Sequence, residues 1–301
     1  MAQKIWDSTN IPDQNGRVVI VTGSSSGIGY EAARVLAEKN ATVVIAVRSL
    51  DKGKAAADKI MARHKSADIK VMELDLANLK SVRKFSEAVK KKYSRLDLLI
   101  NNAGVMIPPY SKTTDGFELQ MGTNHFGHFA LTGLLMDLLK NTNDSRIVNV
   151  SSAAHRYGNI DFSDLNWEGR RYRAWAAYGD SKIANLYFTY ELQRRLDAQN
   201  SGVTATAAHP GWTATELQRH NRLFMFMNKF FAQGIDMGAL PTLYAATAPD
   251  VSGADYFGPS GWKEWKGYPK KVQSNALSHD NNIAAKLWEV SQDLTDVKYQ
   301  F

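Results

Sequence analysis

Residues 177–185 read AYGDSKIAN and set a phenol, Tyr178, four positions before an ammonium, Lys182. In a helix that spacing stacks both side chains on one face, about one turn apart. A phenol beside a cation can move protons. A free phenol has a pKa of about 10, too high for an effective base near neutrality. Bringing it close to 7 takes roughly 4 kcal/mol. A cation about 4 Å away, under an effective dielectric near 20, offers energy of that order. Taken alone, the pair is most simply two surface residues that share a helix face, so the rest of the chain must choose between the readings.

The chain has 301 residues, 44% of them hydrophobic, enough for a substantial core. It has no cysteine, which excludes disulfides, thiolate metal sites and cysteine nucleophiles. His125 and His128 stand three apart in NHFGHF without the partners of a metal motif, so structural or supporting roles are expected and no metal is assigned. No apolar run approaches the roughly 20 residues of a membrane span. The polar start MAQKIWDSTNIPDQNG carries no signal-peptide core, and a cytoplasmic location is the expectation. The net charge of +7 fits an anionic partner. Much of it sits in KSVRKFSEAVKKKYSR (80–95), which reads as the solvated face of a helix, and in KEWKGYPKK (263–271). Neither resembles a nucleic-acid module, whereas a phosphorylated cofactor or an anionic membrane surface would suit the excess.

Short β-branched runs alternate with helical stretches. RVVIVT (17–22), TVVIAV (42–47), IKVMEL (69–74), LDLLIN (96–101), RIVNVS (146–151) and VTATAAH (203–209) read as buried parallel strands. The intervening GIGYEAARVLAEKN, DKGKAAADKIMARH and NLKSVRKFSEAVKKKY read as helices. This alternation predicts an α/β fold, one doubly wound parallel sheet of the Rossmann type with right-handed crossovers. Residues 1–16 form a polar leader and 17–301 a single domain. Two excursions, 153–174 and 212–235, interrupt the alternation on the side where strands of such sheets end and function collects.

The first strand runs into VTGSSSGIG (21–29), a glycine-rich turn that opens a helix. Gly23, Gly27 and Gly29 would let the backbone approach a pyrophosphate, with the helix N–H groups directed at it. The spacing is G-x-x-x-G-x-G, not the usual GxGxxG, and a turn selected only for packing is the alternative. At the end of the second strand, Val47 stands where an acidic residue would hold the 2′-hydroxyl of NAD, and Arg48 follows. An arginine there can pair with a 2′-phosphate, which favours NADP(H) while leaving NAD(H) open.

With TGSSSGIG, NNAG (101–104), a serine after the fifth strand and Y-x-x-x-K in this order, the sequence resembles the short-chain dehydrogenase/reductase family from about residue 17 to the end. The resemblance implies Gly23, Ser25, Ser26, Gly27, Ile28 and Gly29 as the cofactor turn. It implies Asp75, with Leu76 beside it, at the adenine ring, and Asn102, Ala103 and Gly104 beside the adenosine ribose. Pro210, Gly211, Thr213 and Thr215, in PGWTAT, match the stretch that meets the nicotinamide carboxamide. Asn124, Ser152, Tyr178 and Lys182 match the catalytic tetrad. Ser152 is chosen over Ser151 because the family's serine aligns with the second of such a pair.

In that tetrad the tyrosine exchanges a proton with the substrate oxygen and the lysine lowers its pKa while holding the nicotinamide ribose. The serine steadies the oxygen, and the asparagine, in a bent helix, holds a water that links the lysine to solvent. The long interval from Ser152 to Tyr178, the leader IPDQNGR and the tail SGADYFGPSGWKEWKG resemble the retinol dehydrogenase and protochlorophyllide reductase-like branch. Light-driven reductases of the latter type use a cysteine near the tyrosine, and this chain has none.

RLFMFMNKFF (222–231), with Met106, Trp212, Leu217 and Phe224, would make an adaptable apolar wall on the substrate side. A lipophilic aldehyde, ketone or alcohol is therefore expected. The same run also suits an oligomer interface or a contact with a membrane surface. The rival readings are a reductase of small polar carbonyls and a non-catalytic dinucleotide-binding redox sensor. A sensor would be expected to lack the tyrosine or the lysine.

Overall fold

The computed structural model describes residues 5–213 and 232–301. The six β-branched runs become β1 (Val18–Thr22), β2 (Thr42–Val47), β3 (Asp68–Glu73), β4 (Leu98–Asn101), β5 (Arg146–Val150) and β6 (Thr204–Ala208). Two strands that the sequence reading omits follow, β7 (Tyr256–Pro259) and β8 (Pro269–Lys271). They form one sheet in the order β3-β2-β1-β4-β5-β6-β7-β8. Every pairing is parallel except that of β7 with β8.

Successive side chains of a strand point to opposite faces, and the core divides accordingly. From β1, Val19 and Val21 pack with Ala32 and Leu36 of the Gly27–Glu38 helix and Leu240 and Leu243 of the Ile235–Thr247 helix. Val18 and Ile20 face the other way, onto Phe85, Phe129 and Leu192. With both faces covered, β1 is buried along its whole length, whereas β3 at the sheet edge is only half-buried. The result is one doubly wound, Rossmann-type domain. Residues 5–16 belong to it physically, because Ile11 joins the core and Trp6 packs edge-on against Tyr244 at 4.8 Å.

Strand order reverses between β1 and β4, and in such sheets the crevice at the carboxyl ends beside that reversal takes the ligand. The excursion 153–174 lies along this end. It begins with a helical turn, Ala153–Tyr157, and is tied down by side chains. Tyr172 donates to Glu118 at 2.9 Å, Asn159 N–H donates to Asp180 at 2.8 Å, and the Arg170 guanidinium stacks on Trp167 at 3.7 Å. Among the described residues no helix is long and apolar enough to cross a membrane.

Candidate active site

The glycine turn leaves β1 at Thr22 and enters the Gly27–Glu38 helix. Gly23 has φ +66°, and a Cβ there would lie 2.8 Å from Ala103 Cα, so a side chain is excluded both by conformation and by the turn after β4. Ser26 stands at the cap position of the helix without capping it, which leaves the N–H groups of its first turn without a side-chain acceptor, the donor set a phosphate requires. Ser24 is turned inward and donates to Val21 O at 2.7 Å, while Ser25 and Ser26 reach the surface. Gly23 N–H donates to Ala46 O at 2.8 Å, joining this turn to the end of β2. Arg48, two residues further on, is exposed and forms no ion pair among the described residues.

Across the crevice, Asn102 closes the turn after β4 by donating its amide to Thr22 O at 2.8 Å. Ala103 N–H donates to the Thr22 hydroxyl at 2.9 Å. A Cβ added to Gly104 would sit 3.1 Å from Asn124 Oδ1 and 3.7 Å from Lys182 Nζ, so this bare stretch of backbone abuts the tetrad. Asp75 shapes the turn after β3, accepting from Ala77 N–H at 3.0 Å, with Leu76 buried beside it.

The tetrad residues come together from three elements. Asn124 lies in a π-helical turn, Gly122–Phe126, where Gly127 N–H reaches back to Gly122 O. Such turns recur at functional sites. Its side chain accepts from Val105 N–H at 2.8 Å and donates to Val105 O at 3.0 Å and Ser181 Oγ at 2.9 Å. The amide is thus a fully engaged brace between the 102–107 loop and the residue before Lys182.

Ser151 and Ser152 differ in environment. The Ser151 hydroxyl is buried and donates to Lys182 O at 2.8 Å, whereas Ser152 is half-buried and its side chain acts on the Tyr178 phenol. His155 stands behind it, Nδ1–H donating to Ser152 O at 2.7 Å and Nε2 accepting from Asn275 N–H at 3.2 Å.

Tyr178 and Lys182 occupy the buried face of the 25-residue helix Ala174–Ala198, with the ammonium 5.6 Å from the ring centroid. The small residues around them allow close packing. A Cβ on Gly179 would meet Gly158 N at 3.0 Å and Ala154 O at 3.1 Å, so the turn that holds Ser152 can lie flat on the helix. Burial raises the Tyr178 phenol to about 12, against a downward pull from Ser152. This is opposite in direction to the lowering expected from Lys182. The physical reason is that both groups are desolvated, and burial alone lowers Lys182 to about 8. Lys182 is 4% exposed and donates to Val150 O at 3.1 Å.

The turn expected to meet the nicotinamide follows β6. Thr213 Oγ donates to Pro210 O at 2.8 Å, and Gly211 adopts φ +64°. The segment is latched to residues 260–268, because Trp212 N–H donates to Trp265 O at 2.7 Å and Gln233 bridges Pro210 O and Gly267 N–H. Met106 and Trp212 are half-buried. Thr215, Leu217, Phe224 and residues 222–231 lie outside the described residues, so their expected roles have no structural counterpart here. Two aromatics to which the sequence reading gives no role stand in line beside the site, Trp175 at 6.1 Å from the Tyr178 ring and Tyr157 at 6.2 Å from that of Trp175. For Trp175 the aromatic density of RRYRAWAAY was the available signal, and no comparable cluster surrounds Tyr157.

His125 and His128 are both buried and held neutral by burial, at about 3 and about 4 respectively. Among the described residues no group of three or more histidines and carboxylates could hold a metal ion.

A glycine turn under an uncapped helix, a serine and tyrosine over a buried lysine, and a crevice at the strand-order reversal define a nucleotide-dependent oxidoreductase. The family model described as short chain dehydrogenase matches residues 17–224, and the chain belongs to the short-chain dehydrogenase/reductase family, oxidoreductases that use a nicotinamide dinucleotide.

Within the family it falls in the retinol dehydrogenase-like branch. It is 42% identical to retinol dehydrogenase 12 of Mus musculus, over 95% of this chain and 88% of that protein. It is 41% identical to retinol dehydrogenase 13 of Homo sapiens, over 94% and 86%. Among solved structures, an uncharacterised protein from Mycobacterium Paratuberculosis superimposes with a TM-score of 0.84 at 44% identity, covering 99% of this chain and 100% of that one.

Proposed function

We propose that this protein is an NADP(H)-dependent oxidoreductase acting on a lipophilic aldehyde, ketone or alcohol, with Tyr178 as the group that exchanges the proton. The observation that carries the reading is Tyr178 beside Ser152 on a helix face whose next turn bears the buried Lys182. Hydride exchange at its nicotinamide ring is the chemistry the dinucleotide supplies when bound.

The chain's own residues do the rest. The Gly23–Gly29 turn and its uncapped helix hold the pyrophosphate, and Arg48 pairs with a 2′-phosphate. Asp75 and Leu76 border the adenine, Asn102 to Gly104 border the ribose, and Pro210 to Thr215 meet the carboxamide. Ser152 donates to the substrate oxygen. Tyr178, held protonated by burial, gives its proton to that oxygen as a carbonyl is reduced and takes it back as an alcohol is oxidised. Lys182, whose burial lowers its pKa to about 8, close to neutrality, is the titratable cation one helical turn from the phenol. Asn124 keeps the helix turn before it in place.

Trp175, 6.1 Å from the Tyr178 ring, supports an apolar substrate, as does the likeness to retinol dehydrogenases. The test pairs Tyr178→Phe with a series of aldehydes of graded chain length. Loss of turnover by at least a thousandfold with NADPH binding retained supports the role of Tyr178, and rising kcat/KM with chain length supports the substrate class. Wild-type rates in the variant, or activity confined to small polar carbonyls, would overturn the corresponding part.

A further inference from the structure

His128 lies one helical turn beyond Asn124 and is 2% exposed. Its Nδ1 is 3.0 Å from Asn124 O and its Nε2 2.9 Å from the Thr22 hydroxyl. The proton positions along this chain follow from chemistry. A backbone carbonyl only accepts, so Nδ1 carries the hydrogen. The ring is neutral because burial depresses it to about 4, with the Asn124 carbonyl opposing and the Lys182 charge adding to the shift. Nε2 is then an acceptor and Thr22 must donate to it. The lone pairs of that hydroxyl take Asn102 N–H at 3.0 Å and Ala103 N–H at 2.9 Å. Ile100 O lies 3.4 Å from the same hydroxyl, but Nε2 at 2.9 Å is the nearer acceptor and takes the hydrogen, which sets the order of the chain.

This relay runs from the last residue of β1 and the turn after β4 to the backbone of the π-helical turn. There the Asn124 side chain continues it to Ser181, next to Lys182. A phenylalanine would fill the same core space without either bond, and the ring touches neither substrate nor the dinucleotide turn's N–H groups.

We propose that His128 is a positioning residue that sets the distance between the dinucleotide turn and the tetrad, its Nε2 side acting on cofactor binding and its Nδ1 side on turnover. The inference rests on the function proposed above. The two sides of the ring can be removed separately. In His128→Asn the amide nitrogen replaces Nδ1 and keeps the bond to Asn124. In His128→Gln the longer amide reaches the Nε2 position and keeps the bond to Thr22.

The experiment measures the NADPH dissociation constant by quenching of tryptophan fluorescence, the melting temperature, and kcat on an aldehyde substrate. His128→Asn is expected to weaken NADPH about tenfold with kcat within threefold of wild type. His128→Gln is expected to keep the NADPH constant within threefold while kcat falls at least tenfold. Thr22→Val should reproduce the cofactor loss and Thr22→Ser should not, which keeps the proposal testable if a histidine variant misfolds. Equal effects of the two histidine variants on both quantities, or a Thr22→Val variant that binds NADPH as wild type does, would overturn it. A wild-type protein that binds NADPH but reduces no carbonyl would instead refute the proposed function, leaving the binding arm to judge His128.

Discussion

His209 and Glu264 form a hydrogen bond of 3.0 Å between the residue that precedes the Pro210 turn and the loop between β7 and β8. Gly211 N–H donates to His209 Nδ1 at 3.3 Å, so Nε2 carries the hydrogen and Glu264 accepts it. Burial works to raise the Glu264 carboxyl, but the His209 bond and the Arg156 guanidinium at 3.3 Å outweigh it and hold the pKa below the ordinary value. Arg156 belongs to the turn that starts at Ser152, so one carboxylate joins that turn to the Pro210 turn.

Removing that carboxylate leaves a wholly buried imidazole N–H without an acceptor. Glu264→Ala is expected to lower stability by about 1–3 kcal/mol and to raise KM for NADPH several-fold, since the 210–213 turn loses one of its latches. Glu264→Gln, which still accepts from His209, should lie close to wild type in melting temperature. Thermal denaturation and cofactor titration of both variants check this.

Lys182 is costly to bury. Its pKa falls from 10.5 to about 8, equivalent to about 3 kcal/mol. Below pH 8 the lysine is charged in both folded and unfolded chains and the cost is fully present. Between 8 and 10.5 the folded protein releases its proton first and the cost fades. Lys182→Met should therefore abolish turnover yet raise the melting temperature by roughly 5 °C at pH 7, with the gain vanishing near pH 10.5. Val150 O keeps a donor in Asn185 at 3.1 Å, so the variant leaves that carbonyl paired.

Asp180 shows the opposite sign. Burial raises it from 3.8 to about 6, against Asn159 N–H and Arg170. Above pH 6 it is ionised in both states and the desolvation cost is complete, while below about 4 it is protonated in both and the cost is gone. Asp180→Asn keeps an acceptor for Asn159 and should gain about 1–2 kcal/mol at pH 8 and nothing near pH 4. Urea denaturation at the two pH values would detect the difference.

Arg48 offers the test of cofactor choice. It is exposed after β2 and carries no ion pair among the described residues. Arg48→Ala should cost about ten- to a hundredfold in kcat/KM for NADPH, the range of a lost charge-assisted hydrogen bond, and leave NADH nearly unchanged. An unchanged ratio between the two cofactors would exclude the assignment.

Much of this molecule could be read from local pattern. Six β-branched runs became six strands, five of them because an interior strand covered on both faces must be continuously apolar, as β1 is, and β3 at the edge by pairing with β2. The glycine turn was legible because a positive φ at Gly23 and its contact with Ala103 leave no room for a side chain. Tyr178 and Lys182 were legible because helical spacing alone puts them on one face. β7 and β8 were not, since YFGP and PKK are short, rich in glycine, proline and lysine, and gain strand form only by pairing with distant residues.

What the linear order determined was therefore six of the eight strands and which side chains are chemically able to react, because periodicity and residue type act over a few positions. The tertiary structure decided which hydroxyl of Ser151 and Ser152 stays available, that Asn124 braces a loop, and that burial raises the phenol of Tyr178. It also decided which histidine joins Thr22 to Asn124. Those outcomes depend on desolvation and on hydrogen bonds between residues up to 106 positions apart, and neither is written into any short stretch of chain.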